Sequence, residues 1–196
     1  MEGNVHPADH RHLVQSGFLF GRPIRVVPRP RRLFPRGRGF LLSKKEEKAL
    51  SCFICDKHTS IIKTAGTTIY ENEWVYVGHI DRKGKPNYAG HVMIDLKRHV
   101  PGMADMTGEE AAAFGIAMSR VSRALTESEG AEHVYALVSG NSVPHLHMHL
   151  VARYPGTPEE HWGPMDVYDW EKAPMVGEEE IVSLCMRLKE RMELYA

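Results

Sequence analysis

The hydrophobic and polar positions from residue 67 onward follow the short periods of strands. Residues 67–71, 74–79 and 91–96 are rich in β-branched and aromatic residues and predict strands. A polar stretch with glycine and proline, residues 81–87, separates the last two strands, as the loop of a hairpin would. This part of the chain therefore predicts an antiparallel meander.

After residue 107 the period changes to that of a helix. Thr107 and Glu110 have the spacing of a capping box, in which each side chain bonds the backbone amide of the other residue. Apolar residues then recur at intervals of three or four as far as Leu125, and Gly130 stands where a helix would end. The sequence predicts one long helix between Thr107 and Gly130.

Two more strands and a last helix complete the pattern. Residues 133–138 and 145–152 predict strands, and the polar residues 139–144 between them predict a turn. The last helix is predicted from an apolar face made of Ile181, Leu184, Cys185, Leu188 and Met192. Mostly antiparallel strands that flank a long helix are typical of the α+β class.

Charge divides the chain into two parts. The formal net charge is zero, but residues 1–45 hold ten basic and two acidic side chains, so they carry +8 and the remainder carries −8. This basic segment also contains several prolines and buries too little apolar surface to offset its ordering entropy. We expect a disordered Arg/Pro-rich extension over residues 1–46 and a folded domain over residues 47–196. We favour a solvated tail over nucleic-acid binding by its arginines.

Composition excludes several classes of protein. The sequence has no run of about 20 apolar residues that could cross a bilayer, and no compact apolar stretch typical of a secretory signal. Three cysteines are too few for a disulfide framework. We therefore expect a cytoplasmic protein without a membrane partner.

Histidine alternates with apolar residues in the segment HLHMHL, residues 145–150. A strand places His145, His147 and His149 on one face and the apolar residues on the other. Neighbouring imidazoles are costly unless they are hydrogen-bonded or ligated, so the pattern indicates a functional site. Two chemistries remain open: the three rings bind a catalytic metal that activates water, or one ring is a nucleophile that its neighbours orient and assist.

The segment GNSVPHLHMHL, residues 140–150, resembles the signature of the histidine triad (HIT) family of nucleotide hydrolases and transferases. The segment GHVMIDLKRH, residues 90–99, resembles the strand of that family that ends in a basic pair and a histidine. The resemblance covers residues 52–153. It implies a HIT-like antiparallel five-stranded sheet with one long helix and a C-terminal helix, and a homodimer.

The resemblance also implies the roles of individual residues. The family's central histidine forms a covalent nucleotidyl intermediate, and by position this nucleophile is His147, with His149 contacting the phosphate and assisting the leaving group. Asn141 and Ser142 fall where the family's loop holds the phosphate oxygens, and Asp81 is the acidic residue offered for the ribose. The implied substrates are nucleoside phosphoramidates or dinucleoside polyphosphates, with water or another molecule as the acceptor.

Cys52 and Cys55 have the C-x-x-C spacing of metal-binding and redox sites. Some HIT proteins, and the related uridylyltransferases, bind a structural zinc through such a pair and two histidines. The resemblance therefore implies a closed set of four ligands: Cys52, Cys55, His99 and His145. The alternative is that both thiols are small packing residues. We expect His58 at the surface.

Two alternatives to the covalent mechanism stay open. One is a metal-dependent hydrolase that uses the whole triad as ligands, and the other is a nucleotide-binding module without catalysis. The loop before the triad departs from the commonest HIT pattern, because Pro144 has no amide to offer a phosphate.

Overall fold

The computed structural model describes residues 52–64 and 66–195. The predicted extension over residues 1–46 lies outside the described residues. The helices and strands, in chain order, are α1 (Phe53–His58), β1 (Tyr70–Glu71), β2 (Val75–His79), β3 (Asn87–Tyr88), β4 (His91–Leu96), α2 (Gly108–Glu129), β5 (His133–Leu137), β6 (His147–Arg153), β7 (Met175–Val176) and α3 (Glu178–Glu193).

One antiparallel sheet of five strands, in the order β1-β2-β4-β6-β5, organises the domain. This confirms the α+β class and the five-stranded sheet. The remaining strands, β3 and β7, pair with each other. The prediction that residues 81–87 lie wholly in a loop is wrong at one position, because Asn87 begins β3. A strand of two residues is too short to produce a recognisable period.

The hydrophobic core lies between one face of the sheet and the two long helices. Val92, Ile94 and Leu96 of β4 are fully buried there, as alternate residues of one strand must be when they share a face. The buried residues of α3 are the five that its apolar spacing predicted. Burial of these side chains is the main force that holds the helices on the sheet.

The ends of α2 follow from side-chain chemistry. Thr107 Oγ1 accepts the amide of Glu110 at 3.2 Å, and the Glu110 carboxylate accepts the amide of Thr107 at 2.8 Å, so the predicted capping box is present. Gly130 ends the helix in the left-handed conformation, with φ 72°. Arg98 donates to both oxygens of Glu110, at 2.6 and 2.7 Å, and ties the start of α2 to the segment after β4.

The triad strand begins two residues later than the alternation of histidines predicts, at His147 instead of His145. The amide of His145 bonds the carbonyl of Val143 at 2.8 Å and closes a tight turn around Pro144. Because this turn bends the chain, His145 leaves the regular part of the strand.

None of the described helices has the length and apolar character needed to cross a lipid bilayer.

Candidate active site and metal centre

The face of the sheet away from the long helices carries the candidate site. In the antiparallel pairing of β4 with β6, Asp95 lies opposite His147 and Met93 lies opposite His149. Directly paired residues share a face, so these four side chains project to the same side. The apolar neighbours of the histidines, Leu146 and Leu150 among them, are buried on the core side, as the alternation predicts.

His147 has a defined tautomer. Its Nδ1 lies 2.6 Å from the carbonyl oxygen of His145. Because a carbonyl oxygen can only accept, Nδ1 carries the hydrogen and Nε2 of the neutral ring carries the lone pair. His147 is 6% exposed, and its ring makes an edge contact with the ring of His149.

A cavity of about 160 Å³ opens beside His147. It is formed by α1, Thr64, the end of β2 with the residues after it, β4, and the start of β6 with the loop before it. The apolar side chains that line it are Phe53, Ile54, Ile80, Met93 and Val143. The polar ones, besides His147, are Lys57, Thr64, His79, Asp81 and Asp95.

The structure brings only part of the predicted substrate site to this cavity. Asp81 lines it together with His147, and its Oδ1 accepts the amide of Lys83 at 2.7 Å. Asn141 and Ser142 are exposed in the loop before β6, and among the described residues it is Val143 of that loop that lines the cavity. The predicted phosphate contacts therefore depend on how this loop meets a substrate.

His149 is half-buried beside His147 and is hydrogen-bonded to a further histidine. Its Nδ1 lies 2.9 Å from Nε2 of His91, which is fully buried. Burial, followed by the nearby His147, lowers the pKa of His149. Burial also lowers the pKa of His91 to about 3, so His91 is neutral near neutral pH.

Cys52, Cys55, His99 and His145 come together in one cluster, with their ligand atoms all within 4.8 Å of one another. Nδ1 of His145 lies 3.4 Å from the Cys52 sulfur, 3.5 Å from the Cys55 sulfur and 3.2 Å from Nδ1 of His99. The Cys55 sulfur lies 3.5 Å from Nδ1 of His99. The four residues predicted as metal ligands are thus neighbours in space, although the sequence separates them widely.

The orientation of His145 suits metal binding. Its Nε2 lies 2.6 Å from the carbonyl oxygen of Leu96, so Nε2 carries the hydrogen and Nδ1 presents its lone pair to the two thiols and His99. A tetrahedral zinc with two sulfur and two nitrogen ligands places those atoms about 3.3–3.8 Å apart. The four separations given above lie close to this range, so the donor set is consistent with a zinc ion.

Comparison with known proteins gives the family. Residues 63–156 match the family model of the HIT domain. The chain belongs to the histidine triad family. A curated relative of this HIT protein is the nitrilase and fragile histidine triad fusion protein of Caenorhabditis elegans, which is 32% identical over 77 residues, or 37% of this chain. The match spans 18% of the length of that relative.

Solved structures share the fold of this HIT domain. A zinc-bound histidine triad family protein from Mycobacterium smegmatis superposes with a TM-score of 0.57 at 19% identity, over 76% of this chain and 99% of that one. A hypothetical histidine triad nucleotide-binding protein from Sulfolobus tokodaii superposes with a TM-score of 0.56 at 19% identity, over 73% of this chain and 93% of that one. At these identities the likeness concerns the fold.

A buried charged group of the HIT domain was not predicted from the sequence. Asp95 is completely buried, and its Oδ2 accepts from Lys57 and from Nε2 of His58, while its Oδ1 has no hydrogen-bond partner among the described residues. The prediction that His58 lies at the surface is wrong, because its side chain is 11% exposed. An aspartate inside the otherwise apolar run of residues 92–96 in β4 was the available signal.

Proposed function

We propose that this HIT protein is a nucleotide hydrolase or nucleotidyltransferase that acts through a covalent nucleotidyl-histidine intermediate. The proposed substrates are nucleoside phosphoramidates or dinucleoside polyphosphates. The observation that carries the proposal is the hydrogen bond from Nδ1 of His147 to the carbonyl of His145. This bond leaves the lone pair on Nε2 available for attack, and His147 lines the cavity. An unprotonated ring nitrogen held in this way is a nucleophile that needs no further activation.

In the first step, Nε2 of His147 attacks the α-phosphorus and forms a P–N bond while the bond to the leaving group breaks. The Nε2–H of His149 donates a hydrogen bond to the departing atom and so assists the leaving group, which takes its proton from water. In the second step, water attacks the same phosphorus, the P–N bond to His147 breaks, and a water proton is released to solvent, which balances the proton taken up in the first step. The product is a nucleoside monophosphate, or a transferred nucleotide if another acceptor replaces water.

The rest of the cavity supports a nucleoside. Apolar side chains such as Phe53 and Met93 offer surfaces on which a base packs, and Asp81 offers a carboxylate to ribose hydroxyls. We assign the phosphate oxygens to Asn141 and Ser142 and to backbone amides of their loop other than that of Pro144. These assignments follow the resemblance of residues 140–150 to the HIT signature.

We propose that Cys52, Cys55, His99 and His145 hold a structural zinc. Burial, followed by the hydrogen bond with Cys52 and its charge, raises the pKa of Cys55 to about 11, so a thiolate here needs a cation nearby. A closed set of four protein ligands suits a structural metal, which leaves no position for a substrate. When bound, the zinc would fix His145 and with it the carbonyl that orients His147.

A catalytic metal held by the whole triad is less well supported. Nδ1 of His145 faces the thiols, Nδ1 of His147 faces a carbonyl, and Nδ1 of His149 faces His91. The three rings therefore use their Nδ1 atoms for three different partners. We also propose a homodimer formed through β5, because this edge strand of the sheet has an open side on which another strand can pair.

Acid quenching during turnover tests the nucleophile. After incubation with adenosine 5′-phosphoramidate, intact-protein mass spectrometry should find one nucleotidyl group on the wild type, located by fragmentation on His147. We expect no adduct and no turnover for His147→Ala, and both should persist in His133→Ala, which alters an exposed histidine of β5. Turnover at the wild-type rate by folded His147→Ala would remove His147 as the nucleophile.

A further inference from the structure

His149 is the first member of a hydrogen-bonded chain that runs away from the cavity. Its Nδ1 meets Nε2 of His91 at 2.9 Å, and Nδ1 of His91 meets the hydroxyl of Tyr168 at 2.5 Å. Tyr168 belongs to a short 3₁₀ turn, Asp166–Asp169, beyond the residues 63–156 that match the HIT domain. Neither the triad nor the family match accounts for this tyrosine.

We infer that Tyr168 is a positioning residue which, through His91, keeps the proton of His149 on Nε2. The inference rests on the proposed function, in which the Nε2–H of His149 donates to the leaving group. Tyr168 thereby determines which nitrogen of His149 carries the hydrogen, without contacting the substrate.

The hydrogen bonds that link His149, His91 and Tyr168 can be arranged in two ways. A neutral imidazole has one N–H and one lone pair, so His91 must donate on one side and accept on the other. In the first arrangement Tyr168 donates to Nδ1 of His91, and Nε2–H of His91 donates to Nδ1 of His149. His149 then carries its hydrogen on Nε2. In the second arrangement every bond is reversed, and Nε2 of His149 has only a lone pair.

The surroundings favour the first arrangement. Burial lowers the pKa of His91 to about 3 and raises that of Tyr168 to about 12, so both groups are neutral near neutral pH. If Tyr168 accepted from His91, its own hydroxyl hydrogen would need a second acceptor, and among the described residues none lies within hydrogen-bond distance, so solvent would have to supply one to this half-buried side chain. Donation from Tyr168 to His91 satisfies both groups with a single bond.

Packing holds the phenol ring in place independently of its hydroxyl. The ring lies 5.2 Å from that of Tyr88 between centroids, and the guanidinium of Arg82 lies 5.4 Å from its centroid. Val167, the preceding residue, is fully buried in the same cluster. Removal of the hydroxyl alone should therefore leave the ring where it is and free Nδ1 of His91 from its donor.

The expected consequence depends on the leaving group. An amine expelled from a phosphoramidate needs a proton as the P–N bond breaks, whereas p-nitrophenolate leaves without one. If Tyr168 acts on the proton of His149, loss of the tyrosine hydroxyl should slow the reaction of the phosphoramidate and leave the release of p-nitrophenolate unchanged. A merely structural role would slow both reactions together.

The test compares Tyr168→Phe with Tyr88→Phe in the 196-residue chain, purified with zinc in the buffer. Tyr88→Phe is the matched control, because it removes a hydroxyl from the same aromatic cluster, one that donates to the carbonyl of Ala152 and not to a histidine. Long-range ¹H–¹⁵N NMR reads the tautomer of His149, with its signals assigned by their absence in His149→Asn. Turnover is measured with a nucleoside phosphoramidate and with the p-nitrophenyl ester of the same nucleotide.

We expect the Nε2–H form of His149 in the wild type and in Tyr88→Phe, and a shift towards the Nδ1–H form in Tyr168→Phe. Turnover of the phosphoramidate by Tyr168→Phe should fall by about 10- to 100-fold, with less than about a threefold change for the ester. An Nδ1–H form in the wild type, or an unchanged tautomer in Tyr168→Phe, would overturn the inference. If the wild type hydrolyses neither substrate, the proposed function fails, and the NMR result still decides the role of Tyr168.

Discussion

His147 donates the hydrogen on its Nδ1 to the backbone carbonyl oxygen of His145, across 2.6 Å. One residue of this pair lines the cavity, and the other belongs to the thiol–imidazole cluster. The turn around Pro144 makes this possible, because it directs the His145 ring to the cysteines while its carbonyl remains beside His147. The candidate metal centre and the candidate nucleophile are therefore connected through a single residue.

Loss of a zinc ligand should release the metal and destabilise the folded protein. For Cys52→Ser we expect loss of bound zinc from about one ion per chain to less than half, measured by elemental analysis, and a lower melting temperature, because a structural zinc contributes directly to folding. Cys185→Ala is the control, since this cysteine is buried on α3 outside the cluster. It should keep its zinc.

Chelation separates a structural zinc from a catalytic metal. We expect turnover to decline slowly and together with the loss of folded protein, followed by circular dichroism. An immediate loss of turnover that zinc restores, with the fold intact throughout, would contradict the structural assignment and favour the metal-dependent alternative.

Removal of Lys57 alone should destabilise the protein, whereas further removal of its partner Asp95 should restore part of the lost stability. Burial alone would raise the pKa of Asp95, but the hydrogen bond from His58 and the charge of Lys57 bring it below its ordinary value. Lys57→Met leaves this buried carboxylate without its cation and should cost about 3–5 kcal/mol in the free energy of unfolding. Adding Asp95→Leu should recover part of that loss, as measured by urea denaturation.

A matched control for this pair lies at the surface. Lys97 meets Glu71 at 3.0 Å, with both side chains partly exposed, so Lys97→Met should cost less than about 1 kcal/mol. Equal losses for Lys57→Met and Lys97→Met would show that burial does not determine the strength of the inner pair.

Acid should destabilise the protein through His91. Its pKa is lowered by burial from an ordinary value of 6.5 to about 3. Below about pH 6.5 this histidine takes up a proton in the unfolded chain but not in the folded protein. The free energy of unfolding therefore decreases as the pH falls from about 6.5 towards 3, and this contribution is fully present only above about pH 6.5. His79 and His149, whose pKa values burial also lowers, act in the same direction.

The pH dependence of the free energy of unfolding between pH 7 and pH 4 measures this effect. His91→Asn should flatten the profile, because the asparagine that replaces this histidine does not titrate in this range. Equal slopes for the wild type and His91→Asn would show that His91 is not the source of the acid sensitivity.

Gly90, immediately before His91, should tolerate no side chain. Its φ is +83°, and an added Cβ would lie 2.6 Å from the hydroxyl oxygen of Tyr154 and 2.9 Å from the Cβ of Ala152. We expect Gly90→Ala to cost at least about 1–3 kcal/mol, from the clash and from the left-handed backbone. Gly108→Ala is the control, because a Cβ there meets open space at the start of α2. A cost no greater than that of the control would show that the backbone adjusts at Gly90.

Local patterns predicted most of the fold. The capping box at Thr107, the helix end at Gly130 and the apolar face of α3 depend on neighbours within a few residues, so the sequence displays them directly. The strand β3 was missed because its two residues are held by pairing with β7, far along the chain. Pairing at such a distance leaves no local period.

Part of the candidate site was also predictable from residue types. Four residues with metal-binding side chains, resembling a HIT ligand set, were expected together and lie together. The alternation of histidines placed His147 and His149 on one face, but it placed His145 there as well, and the turn at Pro144 took its ring elsewhere. The surface assignment of His58 failed because its partner, Asp95, lies on another strand.

The sequence by itself determined which residues can do chemistry and which elements carry them, because helical and strand periods, caps and ligand spacings are local properties of the chain. The tertiary structure alone decided how those residues are paired: Asp95 with Lys57, His145 with the cysteines, and Tyr168 with His91. These contacts join segments up to 93 residues apart in the chain. They form because burial in the folded domain leaves each polar group only those partners that the fold brings within reach.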